Sequence, residues 1–165
     1  MSWILPTATA RYVVDLAAED AGPVLQDWTD GEIRTWAPSD QHSFDTPPDR
    51  LPSELSALGT RQVRGADLIV DHGGALVGAR LVWPPGGVDF TEDGPRTQLT
   101  ARGHDTTGDL GLVLEIEASR EHDVVSKQVT FLNSGSRAIT LPRAFGPAWE
   151  LPIGPGAVVD VLGGD

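Results

Sequence analysis

Cysteine is absent from this 165-residue chain. That excludes disulfides, thiol catalysis and thiolate metal sites, and it is compatible with a cytoplasmic location, the expectation taken here. Positive charge is scarce. Lys127 is the sole lysine, the other formal cations are arginines, and the net charge is −12. There is no basic stripe, so no nucleic-acid partner is expected. An anionic membrane surface would repel the chain. Long hydrophobic runs are also missing. The N-terminal MSWILPTATARY has an apolar run of only Trp3 to Leu5 and no early positive charge, so it reads as neither a signal peptide nor a membrane span. No stretch of ten residues reads as a helix.

What is present suits a folded β-domain. Hydrophobic residues make up 39% of the chain and charged residues 22%, a globular rather than a disordered balance. Gly 19 and Pro 13 stand as punctuation between short apolar runs. Strands are expected at Arg11 to Leu16, Val24 to Trp28, Ile33 to Trp36, Gln62 to Val70, Leu76 to Trp83, Arg96 to Arg102, Leu110 to Glu117, around Val125 to Phe131, around Ile139 to Leu141, and at Val158 to Leu162. In Leu110 to Glu117 the residues Leu110, Leu112, Leu114 and Ile116 face one way. Val125, Val129 and Phe131 share a face that Lys127 interrupts, and with Ile139 and Leu141 they read as core. Asn133 to Ser136 is a tight polar turn, because Asn and Gly tolerate positive φ. Ser53 to Leu58 reads as one helical turn ended by Gly59. The whole predicts a single domain over 1–165: an all-β antiparallel sandwich of about nine or ten strands, built mainly of hairpins.

The segment from Glu121 to Pro152 carries more than strand pattern. A strand ending in Asn133, a Gly135 turn, and then Thr140, Leu141, Arg143 and Ala144 resemble the N-terminal β-supersandwich of family 36 glycoside hydrolases, the α-galactosidases. Glu54 to Gly59 is similar to that family's E-(L/Y)-P-A-Y-G stretch, with Arg64 where its D-F-R follows. Ser56 replaces the proline, Leu58 the tyrosine and Gln62 the aspartate. Arg11 to Trp28 resembles the family's opening strand pair, with Thr29 in place of a glycine.

The resemblance implies a galactose-mutarotase-like sandwich whose catalytic (β/α)₈ barrel, with a Lys-x-Asp strand end, is absent here. It implies retaining hydrolysis of terminal α-galactosides by the full enzyme and no catalysis by this chain alone. It also implies a truncated form, a gene fragment or a stand-alone derivative. In the family, a loop of one subunit reaches a neighbour's sugar pocket with an Asp and an Arg. Asp45 or Asp49 with Arg50 would take that place, in the proline-stiffened loop Pro38 to Pro52. Partners then expected are a carbohydrate at a pocket rim, a catalytic barrel and a second copy of the chain. A stand-alone carbohydrate-binding or oligomerisation module is the alternative.

The remaining constellations read blandly. Retaining glycosidases hold two carboxyls at a fixed short separation. Asp40, Asp45, Asp49 and Glu54 offer carboxylates, but at spacings that read as solvated turn residues. His42, His72, His104 and His122 have no metal-pair spacing and read as surface turns. No metal and no cofactor is expected. Of the five tryptophans, Trp28, Trp83 and Trp149 read as packing residues, and Trp36, at the mouth of the loop, as the ligand or subunit contact.

Overall fold

The structure, a computed structural model, describes residues 1–16, 19–20, 22–31, 53–60, 66–74 and 76–146. It is an all-β, antiparallel fold. The strands are β1 (Ser2–Pro6), β2 (Arg11–Asp15), β3 (Val24–Thr29), β4 (Leu68–Asp71), β5 (Leu81–Val82), β6 (Val88–Asp93), β7 (Arg96–Asp105), β8 (Leu110–Ser119), β9 (Val125–Asn133) and β10 (Thr140–Ala144). One sheet runs β1-β2-β3 and a second pairs β10 with β4. A third, five-stranded sheet runs β5-β7-β8-β9, with β6 also on β7. Among the described residues there is no helix long and apolar enough to cross a membrane.

The alternation of β8 explains the middle of the core. Leu110, Leu112, Leu114, Ile116 and Ala118 are all buried, and the residues between them are not. β7 supplies the matching face, with Leu99 opposite Ile116, Ala101 opposite Leu114 and Gly103 opposite Leu112. Strand β1 lies over β7 and β8 and adds Leu5, while β2 adds Tyr12 and Val14. Each large aliphatic side chain fully withdrawn from water contributes about 1.5–3 kcal/mol. Trp83 fills the end of this layer. A Cβ at Gly103 would stand 2.7 Å from its ring, so the indole rests directly on bare backbone.

Several expectations change. Ser53 to Leu58 forms no helical turn. Its backbone bonds outward, with Glu54 N–H donating to Pro23 O at 2.8 Å and bridges joining Ser53 to Val24 and Ala57 to Leu68. The strand expected over Leu76 to Trp83 shrinks to Leu81–Val82, because Gly78 sits at φ +112, where strands do not run. There the chain crosses a second left-handed residue, Gly59 at φ +104, and Ala79 N–H donates to Leu58 O at 2.7 Å. Of the strand expected over Gln62 to Val70, residues 62–65 lie outside the described residues, and the described strand is Leu68–Asp71. Strands β1 and β6 are additions. β1 pairs along the whole of β2, and β6 forms a hairpin with β7. The expected strands at Ile33 to Trp36 and Val158 to Leu162 lie outside the described residues.

The Asn133 to Ser136 turn exists, but it does not close a hairpin. β9 pairs with β8 and β10 pairs with β4, so the turn carries the chain between sheets. Gly135 has no positive φ. Glycine stands there because a Cβ would fall 2.1 Å from Asp109 Oδ2. Val125, Val129, Phe131, Ile139 and Leu141 do pack on the core, but only half-buried. β9 has β8 on one side and, among the described residues, no strand on the other.

Candidate functional site

The loop residues Trp36, Asp45, Asp49 and Arg50 lie outside the described residues, as do Asp40 and His42. The chain on either side of them is well anchored. Arg11 donates to Gly31 O, and Gly31 N–H donates to Thr29 Oγ1 at 3.0 Å. On the far side Ser53 is bridged to Val24, at the start of β3.

Glu54 follows directly, and it is no solvated turn residue: it is 0% exposed. Tyr12, from β2, donates its hydroxyl to Glu54 Oε1 at 2.6 Å. Lys127, from β9, pairs its ammonium with Glu54 Oε2. The same ammonium lies 5.4 Å from the centroid of the Tyr12 ring, a cation–π contact. Trp28 meets that ring edge-on at 5.5 Å. Burial raises the Glu54 carboxyl above its ordinary range, while Lys127 and the Tyr12 hydroxyl pull it back. Burial, and then the Glu54 charge, push the Tyr12 hydroxyl well up. The chain holds one tyrosine and one lysine, and both meet on this glutamate. The Glu54 carboxyl and the Lys127 side chain are withdrawn from solvent. The cluster ties β2, β9 and the segment after the loop to one another.

This cluster had a signal in sequence. Lys127 interrupts an otherwise apolar strand face, and a lysine is rarely buried without a partner. Its partner, 73 positions upstream, is not identifiable from spacing.

A second polar group surrounds Asp105, whose side chain is buried. Asp105 Oδ1 accepts from Arg80 N–H at 2.8 Å and from Thr107 N–H at 3.0 Å. His72 Nε2 lies 2.8 Å from Asp105 Oδ2, and the His72 side chain is only 9% exposed. His72 is therefore not a surface-turn residue, although Asp71 to Gly74 is the turn expected, with Gly73 and Gly74 at positive φ. His104 and His122 are exposed, as expected. His72 opens on its other side to a cavity of about 130 Å³, which Thr107, Asp109 and Arg137 also line.

Of the tryptophans, Trp83 is buried, Trp28 packs half-buried on Tyr12, and Trp149 lies outside the described residues. No group of three or more metal-ligating side chains occurs among the described residues.

No protein-family model and no curated protein matches the chain. Solved structures do. A variant of the GH36 α-galactosidase AgaA from Geobacillus stearothermophilus, in complex with raffinose, superposes with TM-score 0.70 at 17% identity, covering 88% of this chain and 24% of that one. The α-galactosidase from Lactobacillus brevis gives TM-score 0.66 at 17% identity, covering 88% and 23%. The galactosidase domain of the α-galactosidase–sucrose kinase AgaSK gives 0.66 at 19% identity, covering 88% and 24%. The chain thus has a fold carried by α-galactosidases, and it spans about a quarter of the length of these structures.

Proposed function

We propose that the chain is the non-catalytic N-terminal β-sandwich part of an α-galactosidase-like glycoside hydrolase, with a cytoplasmic setting. The observation that carries this is the agreement of fold over 88% of this chain with 24% of an α-galactosidase chain. The chemistry supports it: the carboxylate drawn into the closest network, Glu54, is sealed inside the sandwich. In the full enzyme, retaining hydrolysis of terminal α-galactosides would be done by a barrel beyond this sandwich. The role of this part is to pack against that barrel, to support self-association, and to present Trp36, Asp45, Asp49 and Arg50 at a pocket rim. The anchoring of Gly31 and Ser53 suits a loop presented in a set direction.

The test is an assay of the isolated chain on an aryl α-galactoside. No release above the buffer rate is expected. Turnover that survives repurification would overturn the non-catalytic reading.

A further inference from the structure

The geometry points to a binding site for a single sugar ring in the cavity that His72, Gly73, Thr107, Asp109, Arg137 and Ile139 line. This goes beyond the scaffold role, which stands on the fold and does not depend on it.

The cavity offers about 130 Å³. Drug-sized ligands occupy roughly 300 Å³ or more, whereas a water's share of the liquid is about 30 Å³. The space therefore suits one small ring displacing a few waters. Its walls are built, not incidental. Ser134 donates both its N–H, at 2.9 Å, and its hydroxyl, at 2.8 Å, to Asp109 O. Asn133 Nδ2 donates to Arg137 O at 2.8 Å, which fixes the backbone that carries the arginine. Two glycines keep the space open. A Cβ at Gly108 would stand 2.5 Å from His72 Cε1, and one at Gly135 would run into Asp109.

The polar side chains lining this space keep hydrogen-bonding capacity to spare. His72 Nε2 lies 2.8 Å from Asp105 Oδ2, which leaves Nδ1 as the other ring nitrogen. That nitrogen, the Asp109 carboxylate and the Arg137 guanidinium have no hydrogen-bond or ion-pair partner among the described residues. Thr107 adds a hydroxyl oxygen with accepting capacity left over from its bonds to Asp105.

The charge pattern selects the ligand. A simple anion would meet Asp109, and a simple cation would meet Arg137. A zwitterion would satisfy those two and leave His72 and Thr107 unanswered. Sugar hydroxyls both donate and accept, so one ring can answer all four groups. Leu76 and Ile139 supply apolar wall for its C–H face.

The experiment is a titration of the ¹⁵N-labelled chain with D-galactose and, separately, D-glucose, followed by amide shifts. Saturable shifts at Gly73, Gly108 and Gly135 with either sugar, in the millimolar range, are expected. Asp109→Asn and Arg137→Ala should each weaken binding at least tenfold with an unchanged melting temperature, since both side chains are exposed and unpartnered. Sodium acetate and glycine serve as the anionic and zwitterionic probes. The proposal is overturned if neither sugar gives saturable shifts at these amides, if both variants bind like the parent, or if acetate or glycine reproduces the shifts. An inactive chain in the galactoside assay says nothing against this site, and a failed titration says nothing against the scaffold role.

Discussion

At the scale of single residues, Lys127 decides most. Its ammonium and the Glu54 carboxylate are both withdrawn from water, their side chains only 3% and 0% exposed. Removing one member of a buried pair strands the other charge, at a cost of about 3–5 kcal/mol. Lys127→Met should therefore lower the unfolding free energy by about that amount in urea titration. Lys127→Met with Glu54→Gln should recover most of it, because no stranded charge remains. A double variant as unstable as the single one would show that the loss lies in packing around Tyr12 instead. The sequence marked Lys127 as out of place on its strand face. Glu54 could not be told from Asp45 or Asp49 without the fold, since each has a proline within two residues and a polar neighbour. What marks Glu54 is long-range: its partners Tyr12 and Lys127 stand 42 residues before it and 73 residues after it.

At the scale of the element, legibility followed the regularity of the pattern. β8 could be read because strict alternation has one solution on a two-sided sheet. β6, with Val88 and Phe90 as its only inward apolar residues, offered too short a pattern. The segments 53–60 and 76–80 depart from their local pattern for a different reason. Their backbones cross at two glycines, so each bonds to a distant partner and neither follows a local period. Gly59→Ala tests that crossing. An alanine there must adopt φ +104 and place its Cβ 2.8 Å from Ala79 O. Gly73→Ala meets the left-handed strain alone, at φ +86 with nothing near its Cβ. In thermal unfolding Gly73→Ala should cost on the order of 1 kcal/mol and Gly59→Ala distinctly more. Equal losses would mean that the crossing tolerates a methyl group.

At the scale of the whole molecule, the sheets are held together by polar clamps as well as by the apolar core. Asp123, in the turn between β8 and β9, accepts from Thr7 Oγ1 at 2.7 Å, from Thr9 N–H at 2.8 Å and from Thr9 Oγ1 at 2.9 Å, all in the β1–β2 turn. The hydrogen bond from Thr7, and then that from Thr9 N–H, hold its carboxyl below the ordinary 3.8. The sign follows from linkage: a group whose pKa is lower in the folded state adds stability above its unfolded value and loses it as pH falls through the folded value. The stability gap between the parent and Asp123→Asn should be steady near neutral pH and close below about pH 3.8. A gap independent of pH would assign the effect to shape rather than charge. The half-buried inward face of β9 also belongs to this scale. The sequence gives its residues the pattern of a core strand, and whether such a face is fully covered depends on what lies beside it, which periodicity does not encode.

The Tyr12–Glu54–Lys127 cluster also gives the molecule two internal reporters. With one lysine in the chain, an amine-directed reagent has two targets, the α-amine of the well-exposed Met1 and a sealed ε-amine. The native chain should take one label and the denatured chain two, as counted by mass spectrometry. With one tyrosine, tyrosinate absorbance should stay absent through the ordinary value of 10.0 and rise only as the chain opens in base. Chemistry and light would then report the same event at the same place, without any added probe.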